Sequence, residues 1–351
     1  MHKSRQQNME WLRANLRTIE PGQGVEVGLF RPEDGEGVAL LYYAIYGENF
    51  PLDYVYDPDR VRAANAARDL YQYVGRTPGG EVVGISALFP AAPNPAILET
   101  GGLMILPSYR GGMLAMRLGK ATLGTLPEEL GLAAVFGQSV CDHVLSQKLT
   151  RHFGYRPFGL ELEAMPERPE DSTDGVGGRI SLLDELRLLD DCPHTVHLPS
   201  SYADHLRATY AANGLQRHFA DGTPPQTPTE GTRSAMDHAA LAKLHVTAPG
   251  TDIDDALAAF EAAHPGRHAW HLHLPLAHPA TPHAVEAARA RGYFYGGLLP
   301  LWTGTDVLLM QKLANAPDFS LPRLLSEEAQ ALLSVIRGDY DKMVGGTESA
   351  A

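Results

Sequence analysis

Residues 99–119 contain a carboxylate, a proline, an arginine and paired glycines, in an order that suits the binding of an anion at the start of a helix. Glu99 lies in a β-rich run that ends at Pro107, and Arg110 with two glycines comes directly before an amphipathic helix. Backbone N–H groups at the start of a helix bind anions, and glycine lets an anion approach the backbone closely. The sequence therefore predicts a phosphate-binding elbow between this strand and the helix.

A second group of reactive side chains follows a short apolar run at residues 134–140. His143 and Ser146 are three residues apart, which would place both on one face of the first turn of a helix. His143 could act there as a neutral donor or a base, or it could cap the helix. Cys141 could be a nucleophile, but its position at the end of a buried strand favours a packed cysteine.

Aromatic residues are concentrated between residues 42 and 56, in a predicted helix and the loop after it. Their rings could enclose a cationic amine or an apolar acyl group, and they could equally be core residues that need no ligand. The predicted substrate contacts are Tyr43, Tyr46, Phe50 and Tyr54.

Histidines recur between residues 268 and 278, in a run that predicts a strand. His271 and His273 would share one face of that strand, at a spacing compatible with zinc. Since no cysteine or nearby carboxylate joins them, we expect no metal and favour histidines that line a sheet or a dimer surface.

The elements that must position these groups alternate between strands and helices. Up to about residue 190 the predicted order is β-α-α-β-β-β-α-β-α-β-β, and residues 193–312 begin a similar series. This order predicts an α/β (α+β) fold with an internal duplication. The duplication pairs Gly154 with Gly292, Tyr155 with Tyr293, and Gly159 with Gly297.

The length of 351 residues is sufficient for two domains. The predicted boundaries are 1–190 for the first domain, 191–315 for the second, and 316–351 for a C-terminal helix and tail. The net charge of -13 disfavours a nucleic-acid partner. No apolar run approaches the ~18 residues that span a bilayer, and the N-terminal residues lack the apolar core of a signal peptide. We therefore expect a cytoplasmic protein with no membrane partner.

The elbow sequence resembles the acyl-CoA loop of the GCN5-related N-acetyltransferase (GNAT) family. The family pattern is Q/R-x-x-G-x-G/A, often after V-x-P, and residues 105–115 read ILPSYRGGMLA. Met113 stands where the family has its central glycine. The segment HFGYRPFG at residues 152–159 is similar to the family's terminal GF-x-x-x-G segment.

This resemblance implies two domains, each with a mixed, splayed and mostly antiparallel sheet flanked by helices. It also implies direct acyl transfer from acetyl-CoA, or another acyl-CoA, to the amine of a small molecule or peptide, without a metal. Glu99 stands at the position of a base in one branch of the family, while Thr150 replaces a tyrosine acid and His143 an asparagine. The candidate catalytic residues are Glu99, His143 and Ser146. The implied acyl-CoA contacts are Met104, Ile105, Arg110, Gly111, Gly112, Met113, Leu114 and Ala115.

The second half lacks the charges that a phosphate needs. The alignment places Asp252 at the position of Arg110, with Asp254 and Asp255 close by, and three carboxylates would repel CoA. This half would then be a degenerate copy that covers the sheet edge, completes the substrate cleft or forms a homodimer interface. Two further functions stay open for the protein: other acyl-CoA chemistry, such as O- or S-transfer or decarboxylation, and acyl-CoA sensing without turnover.

Overall fold

The computed structural model describes residues 4–167 and 177–348, with only the backbone in residues 346–348. It divides into two compact units, Met1–Ala91 with Leu98–Val135, and Ala92–Ile97 with Phe136–Ala351. This division differs from the predicted boundary at residue 190, because the strand at Arg156–Met165 pairs with the strand at Phe294–Leu299. The predicted domain boundaries remain a prediction.

In the first unit, four strands form an antiparallel meander that follows the sequence order. They are β1 (Glu26–Leu29), β2 (Tyr71–Arg76), β3 (Val82–Pro90) and β4 (Ile97–Ile105). The helices are α1 (Arg5–Asn15), α2 (Gly35–Tyr46), α3 (Pro58–Ala67), α4 (Leu114–Gly119) and α5 (Leu126–Glu129), and a wide turn at Lys120–Thr125 joins the last two.

Helices α2 and α3 cover one face of this sheet, and α4 covers the other. Met104 joins the apolar cluster that contains Val38 of α2 and Val61 of α3. Ile105, the next residue, packs with Leu118 of α4. Because neighbouring strand residues point to opposite faces, the end of β4 is fixed in both cores.

The second unit contains the remaining described elements. Its strands are β5 (Ala134–Val140), β6 (Arg156–Met165), β7 (Ile180–Leu188), β8 (His194–His197), β9 (Arg217–Ala220), β10 (Glu230–Met236), β11 (Leu241–Ala248), β12 (Ala269–Pro275), β13 (Phe294–Leu299) and β14 (Val307–Leu313). Its helices are α6 (Leu145–His152), α7 (Ala203–Ala212), α8 (Ile253–Ala263), α9 (Thr281–Ala290) and α10 (Glu327–Glu348). Strands β8 and β9 form a separate parallel pair. Strand β10 pairs with β11 in antiparallel register.

The large sheet of this unit contains two sets of three strands with the same arrangement. Strands β5, β7 and β6 are neighbours in that order, and so are β12, β14 and β13. In the chain, α6 links β5 to β6 and α9 links β12 to β13. The two series meet where Gly159 of β6 pairs with Gly297 of β13. The predicted α/β class, with mostly antiparallel pairing and a repeated element order, is confirmed.

Helix α10 is fixed to the second unit through Asp339. Its carboxylate accepts hydrogen bonds from the Tyr295 backbone N–H at 2.8 Å and from the Tyr202 hydroxyl at 2.9 Å. Among the described helices, none has the length and apolar character needed to cross a membrane.

Candidate functional site

The predicted elbow is present between β4 and α4. A single 3-10 turn at Pro107–Tyr109 follows β4, and Gly111 adopts a left-handed conformation with φ of +84°. A Cβ atom added at Gly111 or Gly112 would meet nothing within 4 Å in the described part of the chain. Met113 is 68% exposed and its side chain does not cap α4. The Gly111 and Gly112 N–H groups donate to no described residue, and the space beside both glycines is open.

Two arginines stabilise the elbow by donating hydrogen bonds to backbone carbonyl groups. Arg110 donates from Nε to the Ile105 carbonyl at 3.0 Å. Arg117 of α4 donates from Nη1 to the Val25 carbonyl at 2.6 Å. Both guanidinium groups thus hold the turn in position and leave positive charge beside it.

The predicted acyl-CoA contacts on either side of the elbow have buried side chains. Met104 and Ile105 are 6% and 9% exposed, and Leu114 is 6% exposed. Ala115 packs against the same cluster as Leu114. The side chains of Met104, Ile105 and Leu114 are therefore enclosed in the cores, whereas that of Ala115 is only partly buried.

A β-bulge interrupts β4 just before the elbow. Ile85 pairs with Met104 and Ala87 pairs with Gly101, so that two residues of β4 lie opposite one residue of β3. Gly102 within the bulge has a left-handed φ of +62°. A bulge leaves one residue unpaired and redirects the strand, so backbone groups of β4 are released from the ladder here.

Glu99 projects from the face of the sheet that carries a large cleft. It pairs directly with Phe89 of β3, and residues paired across antiparallel strands share a face. Phe89 and Tyr54 line a cleft of about 930 Å³ in the first unit. Gly101 leaves room for this ring, since a Cβ there would lie 2.8 Å from a Phe89 ring carbon. Glu99 itself is partly exposed.

The predicted aromatic contacts divide into different environments. Tyr46 and Phe50 pack around Tyr42. The ring centroid of Phe50 is 4.9 Å from that of Tyr42 and 5.0 Å from that of Tyr46. Burial raises the pKa of the Tyr42 hydroxyl. The Tyr43 hydroxyl accepts a hydrogen bond from Arg13 Nε at 3.3 Å. Of the four residues predicted, only Tyr54 lines the cleft.

His143 precedes helix α6 and does not lie in its first turn. The helix begins at Leu145, and His143 Nδ1 accepts a hydrogen bond from the Leu145 N–H at 3.3 Å. The predicted common helical face of His143 and Ser146 is therefore wrong, because the chain still forms the cap where a turn was expected. Ser146 Oγ is buried and has no hydrogen-bond partner among the described residues.

In the second half, the turn between β11 and α8 is filled by residues 227–229 of the same chain. The Gly250 N–H donates to Thr229 Oγ1 at 3.0 Å, and the Thr251 N–H donates to the Thr227 carbonyl at 2.9 Å. Asp252 Oδ1 accepts from the Thr229 N–H at 2.6 Å, and this hydrogen bond lowers the pKa of Asp252. A Cβ at Gly250 would lie 2.1 Å from the Thr229 nitrogen. Residues 227–229 thus fill the space beside this turn, and the Ile253 N–H, at the position of Gly111, donates to the Gly250 carbonyl at 3.3 Å.

The paired histidines lie inside the sheet and not on an exposed surface. His271 and His273 are 0% and 4% exposed. His271 Nδ1 is 3.5 Å from Glu161 Oε1, and Lys243 Nζ is 3.0 Å from the same oxygen. His273 stacks on His245 with ring centroids 4.3 Å apart. Among the described residues, no group of three His, Cys, Asp or Glu side chains could hold a metal ion.

Comparisons with known proteins found similarity among solved structures. No protein-family model matches this sequence, and no curated protein matches it. Several of the similar structures are acetyltransferases. An N-acetyltransferase from Staphylococcus aureus Mu50 is 16% identical over 47% of this chain and 99% of its own, with a TM-score of 0.38. A GNAT-family acetyltransferase from the same source is 10% identical over 48% of this chain and 100% of its own, with a TM-score of 0.36. The ribosomal-protein-S5-alanine acetyltransferase from Vibrio fischeri is 12% identical over 50% of this chain and 98% of its own, with a TM-score of 0.39.

One buried carboxyl in the second unit was missed by the sequence interpretation. Glu185 of β7 is 3% exposed and accepts hydrogen bonds from Ser139 Oγ at 2.5 Å and Thr150 Oγ1 at 2.9 Å. Burial raises its pKa to about 7, although both hydroxyl hydrogen bonds act in the opposite direction. The available signal was a glutamate inside the apolar strand ISLLDELRL, where a carboxylate is rare. Cys141, as expected, is buried, and burial raises the pKa of its thiol.

Proposed function

We propose that this protein is an acyl-CoA-dependent N-acyltransferase whose N-terminal half holds acetyl-CoA or another acyl-CoA. The observation that carries the proposal is the contrast between the two turns. The amides at Gly111 and Gly112 donate to no described residue, whereas the second turn is filled by residues 227–229, and the Ile253 N–H, at the position of Gly111, donates to the Gly250 carbonyl at 3.3 Å. A diphosphate needs free N–H groups, a helix N-terminus and close access to the backbone, and the first elbow offers all three.

The elbow would hold the diphosphate through its backbone, with Arg110 and Arg117 adding positive charge beside it. The released backbone groups at the Gly102 bulge would contact the chain that leads to the thioester. Met104 and Ile105 would contribute their backbone alone, because their side chains are buried. The bound acyl-CoA supplies a thioester carbonyl that an amine can attack.

Glu99 would accept, through water, the proton that the acceptor ammonium must lose before its nitrogen attacks. The N–C bond then forms as the C–S bond breaks, and CoA leaves as the thiolate. The second proton of the nitrogen passes through solvent to the thiolate, which leaves a neutral amide and free CoA thiol. The acceptor would occupy the cleft lined by Tyr54 and Phe89, whose volume of about 930 Å³ suits a small molecule or a peptide terminus. We assign no proton donor to His143 or Ser146, since His143 caps α6 and Ser146 is buried.

The test combines calorimetric titration with CoA and a thiol-release assay with acetyl-CoA and a panel of amines. Gly112→Asp places a carboxylate in the open space of the first elbow. Thr251→Asp makes a matched charge change at the filled turn. We expect Gly112→Asp to weaken CoA binding at least tenfold, or about 1.4 kcal/mol. Thr251→Asp should leave the affinity within about twofold.

Equal effects of the two variants, or no CoA binding by the unmodified protein, would refute the proposal. Binding without thiol release for any amine would favour an acyl-CoA sensor. An acylated oxygen or sulfur, or released carbon dioxide, would favour the other acyl-CoA chemistry.

A further inference from the structure

A second, smaller cleft lies in the second unit. Its volume is about 210 Å³, and Glu185 and Tyr155 line it. Each of these residues is 3% exposed. The Tyr155 hydroxyl is buried and makes no hydrogen bond within the described residues. Two polar side chains are thus buried in one cleft, and neither is used by the proposed acyl transfer.

The Glu185 carboxyl is fixed through one of its two oxygens. Ser139 of β5 and Thr150 of α6 both donate to Oε2. Oε1 has no hydrogen-bond partner in residues 4–167 and 177–348. The two hydroxyls therefore orient the carboxyl and leave Oε1 for a ligand.

The charged groups around this carboxyl are located at the mouth of the cleft. Arg151 of α6 pairs with Glu328 of α10 at 3.3 Å, and both side chains are more than half exposed. Arg156 of β6 is exposed and donates to the Ala212 carbonyl. Solvent and salt screen such charges strongly.

The fully buried groups near the carboxyl are neutral or acidic, and the half-buried Arg187 is the cation on its own strand. The Cys141 thiol lies at the end of β5 and keeps its proton, and Asp184 is the neighbouring residue on β7. Arg187, also on β7, acts electrostatically on Tyr155. A buried carboxylate without a charged partner is costly, and a bound cation would remove that cost.

We propose that this cleft binds a small organic cation, an ammonium or guanidinium group that donates to Glu185 Oε1. The Tyr155 hydroxyl accepts a second hydrogen bond from the same group. The volume equals roughly seven water molecules at about 30 Å³ each, which suits an alkylammonium ion of about four carbons.

Binding of the cation is linked to a proton on Glu185. At pH 7 about half of the molecules carry this proton, because the pKa is about 7. A cation favours the ionised carboxylate and so lowers its pKa. Binding at pH 7 therefore releases about 0.5 proton, and affinity decreases as the pH falls below 7.

The experiment is calorimetry of the full chain with n-butylammonium chloride, at pH 7, in two buffers with different heats of ionisation. The neutral probe is n-butanol and the anionic probe is sodium acetate. We expect saturable binding of n-butylammonium, release of about 0.5 proton, and no binding of the two other probes. This proton count needs no variant and no CoA, so it is independent of the acyl-transfer proposal.

Glu185→Gln removes the charge and keeps an oxygen for the two hydroxyl donors. It should weaken n-butylammonium binding at least tenfold and abolish proton release. The matched control is Glu328→Gln at the exposed mouth, which should change the affinity less than twofold. Binding without proton release, binding of acetate in place of the cation, or equal affinity of Glu185→Gln would overturn the proposal.

Discussion

Gly159 of β6 and Gly297 of β13 face each other across the junction of two repeated strand series. A Cβ at Gly297 would lie 2.3 Å from the Gly159 Cα and 2.6 Å from the Phe158 carbonyl oxygen. No side chain fits at this contact, so the close approach of the two strands requires glycine. The sequence duplication had paired these same two positions.

Replacement of Gly297 by alanine should destabilise the protein. The added methyl group overlaps backbone atoms that cannot rotate away, so we expect a loss of at least about 2 kcal/mol in the free energy of unfolding. Urea denaturation measures this loss. The control is Gly338→Ala in α10, where a Cβ meets nothing within 4 Å and alanine should stabilise the helix by up to about 1 kcal/mol. Similar stability of the two variants would contradict the role of the glycine contact.

Glu99→Gln tests the proton acceptor of the proposed reaction. The variant keeps the size of the side chain but cannot take up a proton, so kcat should fall at least ~100-fold with CoA affinity unchanged. Steady-state kinetics and CoA titration give the two values. Glu26→Gln changes an exposed carboxylate on β1 and should leave kcat unaltered. A large loss of CoA affinity in Glu99→Gln would point to a structural role.

Asp306→Asn tests a buried ion pair of the second unit. Asp306 is fully buried, and Arg217 Nε donates to its carboxylate at 2.6 Å. Burial opposes ionisation, but hydrogen bonds from His194 and Arg217 hold the pKa at about 2. The variant leaves the buried Arg217 with Asp191 as its remaining charged partner in the described chain, and it should lose about 3 kcal/mol of unfolding free energy.

The ion pair of Asp306 and Arg217 should make the free energy of unfolding decrease at low pH. Because its folded pKa is depressed, the contribution of Asp306 is complete above the unfolded value of 3.8 and is lost as the pH falls toward 2. Urea midpoints at pH 7 and pH 3 measure it. The exposed Arg5–Asp53 pair supplies the control, and Asp53→Asn should have no measurable effect at either pH.

The buried histidines should make the second unit sensitive to mild acid. Burial lowers the pKa of His271 and, more strongly, of His273, so both are neutral in the folded state. Their contribution to stability is complete above the unfolded value of 6.5 and is lost as the pH falls below it. The free energy of unfolding should therefore be smaller at pH 5.5 than at pH 7.5.

His273→Phe keeps a ring against His245 but removes the titrating group. Its stability should change less between the two pH values than that of the unmodified chain. His218 is exposed, and His218→Gln should retain the original pH dependence. An unchanged slope in His273→Phe would assign the acid sensitivity to other groups.

Features set by neighbouring residues could be predicted from the sequence. The elbow after Pro107 depends on glycine and proline at local positions. The repeat identified Gly159 and Gly297 as equivalent positions but did not predict that they meet across two strands. The start of α6 could not be fixed to within two residues, and this error changed His143 from a catalytic candidate into a cap. Pattern alone does not separate a cap from a first turn.

Long-range contacts account for the rest. Glu185 meets Thr150 and Ser139 from 35 and 46 residues away. No periodicity within β7 indicates which hydroxyls it will reach. The depth at which His271 and His273 are buried likewise depends on Glu161 and Lys243 from distant strands.

The segment 227–229 is tethered to the turn that it fills in the second half, so dilution never removes it. Under the proposed function, order at Gly111 and Gly112 would rise and fall with the supply of acyl-CoA, whereas order at the second turn would stay constant. The duplicated turn would then exist as one responsive copy and one constitutive copy within a single polypeptide.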